Sequence, residues 1–208
     1  DRDEVSEAVH RELDADAWLV GRRTMAEFSQ GAPRSASTDR LYPRQTWKAP
    51  AAGMGPYAVC LDRSGRLHLN RDRVNGDAVI AILTRAVDDD HLAELQRDGI
   101  SYLFAGAAEL DLVYAIRALR AEFGIERLLL EGGGATNGAF LGADLVDEIS
   151  LLVLPIADGE PDRPTTLDGN PLGPRGLALI AATPVARDIV HLRYHVLPRN
   201  DPATTAGD

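Results

Sequence analysis

Four short apolar runs in this chain end in glycine or in basic and hydroxyl residues, and helix-like segments separate them. The runs and their ends are 17–20 with Gly21-Arg22, 78–83 with Thr84-Arg85, 101–104 with Ala105-Gly106, and 127–130 with Glu131-Gly132. Alternation of buried strands with helices predicts an α/β fold, a mostly parallel sheet with helices on both faces. Because the carboxyl ends of parallel strands meet at one edge, these residues are expected to lie close together.

The remaining pattern completes the predicted fold. Apolar residues at helical spacing mark helices at 3–15, 91–97, 111–123 and 135–141. Strands are predicted at 57–61 and 148–154, and at 177–185 and 189–197, which the turn at 186–188 joins into an antiparallel hairpin. We therefore predict a mixed sheet finished by that hairpin, in one domain over residues 1–198 with a flexible tail at 199–208.

Residues 29–56 carry no helical or strand periodicity and hold four prolines, which predicts a long loop. Loops of this length in compact domains are usually functional or mobile. Its aromatic residues Tyr42 and Trp47 either fold over a ligand or anchor the loop on the core, and the sequence favours neither.

Charge and cysteine content exclude several classes of function. Acidic residues number 32 and basic residues 22, a formal net charge of −10, whereas nucleic acids and anionic membranes select clustered positive charge. No apolar stretch reaches the length of a membrane span and no signal peptide is visible, so a cytoplasmic protein without membrane partners is expected. The single cysteine, Cys60, excludes an internal disulfide, and its apolar surroundings favour a buried thiol over a nucleophile.

The strongest local motif is a glycine block between a strand and a helix. It comprises Glu131, Gly132, Gly133, Gly134, Ala135 and Thr136. Glycines permit positive φ and close approach of a ligand, and the amides of a helix start favour a phosphate. The block lacks the spacing of the dinucleotide fingerprint and the lysine of a phosphate-binding loop, so a phosphate site and a plain tight turn are equally supported. Glu131 would accept a hydrogen bond from a substrate or from nearby amides.

Three further strand ends carry small or basic residues. They are Gly21-Arg22-Arg23-Thr24, Thr84-Arg85 and Ala105-Gly106. The first offers phosphate donors, with Thr24 also a candidate helix cap, and the second suits the 2′-phosphate that separates NADP from NAD. The third lets a ligand pack against backbone. Each motif alone is weak, since exposed arginines are common, but together the four strand ends describe a rim that binds a dinucleotide.

No metal site and no catalytic residue are predicted. The five histidines lack metal-ligand spacing, and His191 and His195, four apart in a strand, are expected on the surface. No serine lies in a nucleophile elbow.

Residues 111–155, with the glycine block and Val146-Asp147-Glu148 downstream, closely resemble the reductase domain of riboflavin biosynthesis. That domain belongs to the dihydrofolate-reductase-like fold, which residues 16–25 and the final hairpin also match. The resemblance covers most of the chain and is weakest in the loop at 30–56. The family's opening strand, with its Ser-Leu-Asp-Gly-like motif, is not seen, so the chain is expected to lack its first strand.

The resemblance implies an NADPH-dependent reductase of a pyrimidine- or pterin-like heterocycle, similar to 5-amino-6-(5-phosphoribosylamino)uracil reductase. Its phosphate-binding positions correspond to the Gly21 turn and the glycine block, the 2′-phosphate position to Thr84 and Arg85, and the substrate position to Glu131. A homodimer is also implied, with residues 177–197 as a candidate contact surface. Two alternatives stay open: a non-catalytic nucleotide-binding protein that keeps the fold, and a paralogous reductase of a specialised metabolite.

Overall fold

The computed structural model of the protein describes residues 2–29, 37–53, 55–157, 165–168 and 173–199. The chain divides into two compact units, the first Ala15–Thr136 and the second Asp1–Asp14 with Asn137–Asp208. One domain over residues 1–198 stays a prediction. Nearly all of the predicted tail, at 199–208, lies outside the described residues.

The first unit contains a parallel sheet, as the apolar runs predict. Its strands are β1 (Ala17–Gly21), β2 (Tyr57–Leu61), β3 (Arg73–Val74), β4 (Asp77–Leu83), β5 (Ser101–Phe104) and β6 (Leu128–Leu130). β1 lies between β6 and β2. β4 pairs with β2 on one side and with both β3 and β5 on the other. Only β3 runs antiparallel to its neighbour, and its two residues are too few for a periodic sequence signal.

Five helices occur in the described residues. They are α1 (Arg2–Glu12), α2 (Arg22–Ala26), α3 (Asp89–Asp98), α4 (Leu112–Phe123) and α5 (Gly134–Gly142). Gly99 and Gly124 adopt the left-handed conformation and end α3 and α4. Asp111 caps α4 by accepting a hydrogen bond from the Tyr114 amide at 2.9 Å. Thr24 lies inside α2, which Gly21 precedes, so the prediction that Thr24 caps this helix is wrong.

The central strands of the first unit are buried on both faces. Leu19 and Val59 are inaccessible on one face, and Cys60 and Ala81 on the other, which explains why these strands appear as apolar runs without alternation. Burial raises the pKa of the Cys60 thiol well above its ordinary value, and the negative charge of Asp62 adds to that effect. The prediction of a buried cysteine is confirmed.

The second unit contains a three-stranded antiparallel sheet. Its strands are β7 (Glu148–Val153), β8 (Leu177–Pro184) and β9 (Val190–Val196), with β9 in the middle. β8 and β9 form the predicted hairpin around a 3₁₀ turn at Ala186–Asp188. The fold class is confirmed, but the hairpin pairs with β7 and not with the parallel sheet. Strand periodicity predicts which face is buried, not which strand is the partner.

Large apolar side chains remain exposed in the second unit. They are Val153, Leu154, Ile156, Leu177, Leu179 and Ile180. Leu179 is 60% exposed, and Leu177, two residues earlier in β8, is 41% exposed. Among the described residues, no helix combines the length and apolar composition that crossing a bilayer requires.

Candidate functional site

The carboxyl ends of the parallel strands lie side by side along one edge of the sheet in the first unit. Gly21 of β1 is in register with Leu61 of β2, Leu61 with Ile82 of β4, and Leu83 with Phe104 of β5. The residues that follow these strands and β6 form what we call the carboxyl rim, made of 21–24, 62–63, 84–85, 105–106 and 131–136. Every strand end named in the sequence analysis belongs to it.

The first turn of the rim joins β1 to α2. Gly21 has extended backbone angles (φ −73°, ψ 160°), and a Cβ there would lie 3.2 Å from the Thr136 hydroxyl oxygen. A side chain at residue 21 would crowd Thr136, so the glycine lets the strand ends after β1 and β6 approach each other closely. Arg22 is partly buried and its positive charge reaches the Cys60 thiol, whereas Arg23 is exposed.

The glycine block follows β6, and its first residue is held by the sheet. The Glu131 amide donates to the Leu19 carbonyl at 2.9 Å, and the Thr136 amide donates to the Gly133 carbonyl at 2.9 Å. The glycines at 132–134 are not among the residues with positive φ, and a Cβ on Gly133 would meet no atom within 4 Å. The fold therefore does not require glycine at position 133, and the space beside its Cα is open.

The end of β4 agrees only partly with the sequence prediction. Thr84 is 1% exposed and its hydroxyl donates to the Arg63 carbonyl at 2.8 Å, so its side chain is not positioned to donate to a phosphate. This corrects the expectation for Thr84, because its hydroxyl satisfies a backbone acceptor instead. Arg85 is exposed and its guanidinium lies 3.3 Å from the Arg44 carbonyl oxygen.

The end of β5 is shaped by its own backbone. Ala105 is buried and its amide donates to the Leu83 carbonyl at 2.8 Å. Gly106 has φ +102°, and a Cβ there would lie 1.9 Å from the Glu109 carbonyl oxygen. Gly106 is thus required by the turn itself, so its presence carries no information about a ligand.

Arg44 is a rim neighbour that the sequence pattern did not single out. Its guanidinium donates to the carbonyls of Tyr42 at 2.7 Å and Val87 at 2.8 Å, and it pairs with Asp89. The hydrogen bond from Arg44 holds the pKa of the Asp89 carboxyl below its ordinary value. Because Arg44 lies in a loop without periodicity, the sequence did not indicate it as a site residue. In the structure it fixes that loop beside Arg85.

The aromatic residues of the long loop contact the core of the first unit. Trp47 stacks on Tyr102 with 5.7 Å between ring centroids, and the two backbones exchange hydrogen bonds of 2.9 Å. Tyr42 is partly buried against the same core. Of the two interpretations left open by the sequence, anchoring of the loop is the one that the geometry supports.

Asp62, the first residue after β2, is a buried carboxylate. Its oxygens accept from the amides of Arg66 at 2.9 Å and Leu67 at 2.8 Å. Burial raises the pKa of Asp62, but the contact with His91 and the hydrogen bonds from the two amides outweigh it, and the pKa lies below its ordinary value. The carboxylate is therefore held in its charged form within the rim.

One prediction about the histidines is wrong. His191 is 7% exposed and shares a hydrogen bond of 2.8 Å with the Ser150 hydroxyl, so it is not a surface residue. His68 and His91 come together with Glu94, with candidate ligand atoms within 4.8 Å of one another. Linear spacing did not reveal this group, because His68 lies in a loop and His91 on α3.

Comparison with known proteins gives one family and several relatives. The model of the RibD C-terminal domain family matches residues 3–190. A 2,5-diamino-6-ribosylamino-4(3H)-pyrimidinone 5′-phosphate reductase from Methanothermobacter thermautotrophicus is 30% identical over 157 residues, which are 75% of this chain and 67% of that protein. The reductase of the same name from Archaeoglobus fulgidus is 29% identical over 157 residues, covering 75% and 69%.

A solved structure also resembles this fold. The crystal structure of a pyrimidine reductase-like protein from Corynebacterium diphtheriae superimposes with a TM-score of 0.63 at 18% identity, covering 88% of this chain and 77% of that chain. At this identity the similarity shows a shared fold and no more.

Proposed function

This chain belongs to the RibD C-terminal domain family, and we propose that it is an NADPH-dependent reductase of a phosphorylated pyrimidine. The match confirms the resemblance to riboflavin-biosynthesis reductases that residues 111–155 indicate. Because two relatives carry the name of the corresponding reductase, 2,5-diamino-6-ribosylamino-4(3H)-pyrimidinone 5′-phosphate is the first substrate to test, with 5-amino-6-(5-phosphoribosylamino)uracil second.

The observation that carries this proposal is the carboxyl rim of the parallel sheet. Ligands of open α/β sheets bind outside the carboxyl ends of the strands. At this edge a Cβ on Gly133 would meet no atom within 4 Å, and the backbone there does not require glycine. Helix α5 begins at the next residue. Helix-start amides with an unobstructed approach suit a phosphate, so the residues present fit a dinucleotide there.

Arginines of the rim supply the positive charge that such a cofactor needs. Arg22 follows β1 and Arg85 follows β4, on strands separated by β2. Arg85 is exposed, and Arg44 is fixed beside it by hydrogen bonds to the loop. We assign the 2′-phosphate of NADPH to Arg85, since a charge-assisted contact there would favour NADPH over NADH.

When bound, the nicotinamide cofactor supplies the hydride, and the protein supplies orientation and electrostatics. Glu131 is exposed at the end of β6, directly before the glycine block, and we propose that its carboxylate accepts a hydrogen bond from the pyrimidine. Ring N–H and amino groups of such a substrate are the complementary donors.

The test is a titration of NADPH and NADH into the chain and into Arg85→Ala. We expect Arg85→Ala to lose NADPH affinity by about tenfold or more and to keep its NADH affinity, because only NADPH carries the 2′-phosphate. Arg117→Ala, an exposed arginine on α4, is the matched control and should change neither. Equal NADPH affinity in Arg85→Ala and the parent chain would contradict this assignment.

Turnover separates the proposed reductase from the two alternatives. Oxidation of NADPH on addition of either pyrimidine supports the reductase. Tight NADPH binding without oxidation by either compound would support the non-catalytic nucleotide-binding protein, and oxidation with another heterocycle only would support the paralogous reductase.

We also propose that the chain forms a homodimer in the cytoplasm through the sheet of the second unit. Support comes from the exposed apolar side chains of β8, including Leu177 and Leu179 at 41% and 60% exposure. An edge strand with apolar side chains in water favours association with a second copy. The single cysteine, present as a buried thiol, suits a reducing compartment.

A further inference from the structure

A buried group of two histidines and two carboxylates lies between the loop after β2 and helix α3. Asp62 and His68 come from that loop, and His91 and Glu94 come from one face of α3, three residues apart. We propose that His68, His91 and Glu94 bind one divalent transition-metal ion, for which Zn²⁺ is the best match.

The candidate ligand atoms already converge. His68 Nδ1 lies 2.9 Å from both carboxylate oxygens of Glu94, and His91 Nδ1 lies 3.9 Å from Glu94 Oε2. A tetrahedral Zn²⁺ with bonds of about 2.0–2.2 Å holds its ligand atoms roughly 3.3–3.5 Å apart. The two distances lie on either side of that value, and all three ligand atoms lie within 4.8 Å of one another.

Burial of His91 points to a ligand that the protein itself does not provide. Its side chain is 6% exposed, and its ring nitrogens lie 3.4 Å from Asp62 Oδ2 and 3.9 Å from Glu94 Oε2 without forming a hydrogen bond of good geometry among the described residues. Leaving a buried polar atom without a partner costs about 1–3 kcal/mol. A metal bound at Nδ1 would give that nitrogen of His91 a partner. An ion pair between His68 and Glu94 alone would not.

Asp62 is the positioning residue of this site. Its Oδ2 lies 3.4 Å from His91 Nε2, the ring nitrogen that faces away from Glu94. Metal-binding histidines usually donate their second N–H to a carboxylate, which fixes the tautomer with the other nitrogen free for the metal. Asp62 is inaccessible and anchored by backbone amides, so it favours protonation at Nε2 and a lone pair at Nδ1.

The site has an entrance and an open position. The His68 side chain is 27% exposed whereas Glu94 is 4% exposed, so solvent reaches the group from the loop side. Three protein ligands leave a fourth tetrahedral position, which water would occupy. A metal there would cross-link the loop after β2 to α3.

The experiment uses Zn²⁺ and Co²⁺ as probes on the full chain, freed of metal by a chelator and without NADPH. We expect one ion per chain, a Co²⁺ visible spectrum typical of nitrogen and oxygen ligands, and a higher thermal midpoint with Zn²⁺. Glu94→Gln keeps the shape of the side chain and should weaken Zn²⁺ binding at least about tenfold, as should His68→Gln at the partly exposed edge.

The matched control is His195→Gln, which removes an exposed histidine 3.7 Å from Glu148 and should bind Zn²⁺ as the parent chain does. Asp62→Asn should retain one Co²⁺ but with a shifted spectrum and lower affinity, a change that a purely structural role would not produce. Absence of saturable binding, or equal affinity in Glu94→Gln and the parent chain, would overturn the proposal. Since NADPH is omitted, neither result depends on the reductase proposal.

Discussion

Exchanging two rim glycines for alanine should separate a glycine that the fold requires from one that a ligand requires. At Gly106 the added Cβ would lie 1.9 Å from the Glu109 carbonyl oxygen, and φ is +102°. The turn must move, which strains the backbone by about 1–3 kcal/mol and weakens two hydrogen bonds at about 1 kcal/mol each. Those bonds run from the Arg85 amide to Gly106 and from the Asp111 amide to Ala105.

We therefore expect Gly106→Ala to lower the free energy of unfolding by about 3–5 kcal/mol. For Gly133→Ala the added Cβ meets nothing within 4 Å and φ is not positive, so the free energy of unfolding should change by less than about 1 kcal/mol. The same methyl group would stand where a phosphate is proposed to approach the backbone, and NADPH affinity should fall by about tenfold or more.

Urea unfolding followed by circular dichroism measures the first quantity, and titration with NADPH under native conditions measures the second. The reasoning is refuted for the fold if Gly106→Ala unfolds with the parent midpoint. It is refuted for the site if Gly133→Ala binds NADPH as tightly as the parent chain.

Three further substitutions probe the loop anchor, the buried carboxylate and the exposed sheet face. Trp47→Ala should lose about 2 kcal/mol of stability in urea unfolding, because it removes the stack on Tyr102, and should leave NADPH affinity unchanged; a selective loss of affinity would contradict the anchoring role. Asp62→Ala should cost about 3 kcal/mol near neutral pH, since it leaves buried amides unsatisfied. Because the pKa of Asp62 is lowered by folding, this difference should be complete above the unfolded value of about 3.9 and shrink as pH falls through the folded pKa; a pH-independent difference would contradict it. Leu179→Glu should convert a dimer to a monomer in light scattering after size exclusion, and a parent chain that is already monomeric would contradict the proposed interface.

The parallel sheet and the position of the rim were predictable because strands buried on both faces appear in the sequence as uninterrupted apolar runs. β1, β2 and β4 are short apolar runs, and each run ends at glycine or gives way to a polar residue. Because parallel strands place their carboxyl ends at one edge of the sheet, the strand pattern alone predicts that those ends are neighbours. The hairpin of β8 and β9 was equally predictable, because only a short turn separates its two strands in the sequence.

The role of each rim residue was less predictable, since residue type does not reveal which partner a group contacts. Thr84 suits a phosphate by its chemistry, but its hydroxyl is used by the Arg63 carbonyl. Gly106 and Gly133 are the same residue in similar sequence surroundings, and only φ and the space around them separate their roles.

Groups assembled from distant segments escaped prediction for a further reason. His68 and Glu94 are separated by 26 residues and meet because the loop after β2 packs on α3. Spacing rules detect candidate metal ligands most readily when they share an element, as His91 and Glu94 do, and that pair alone is too common to indicate a site.

The most direct measurement is oxidation of NADPH by the chain in the presence of 2,5-diamino-6-ribosylamino-4(3H)-pyrimidinone 5′-phosphate, followed by loss of the NADPH absorbance band. The proposed function predicts oxidation that depends on the pyrimidine, saturates with NADPH, and is reduced in Gly133→Ala under subsaturating cofactor. Oxidation no faster with this pyrimidine or its uracil counterpart than without either would contradict it.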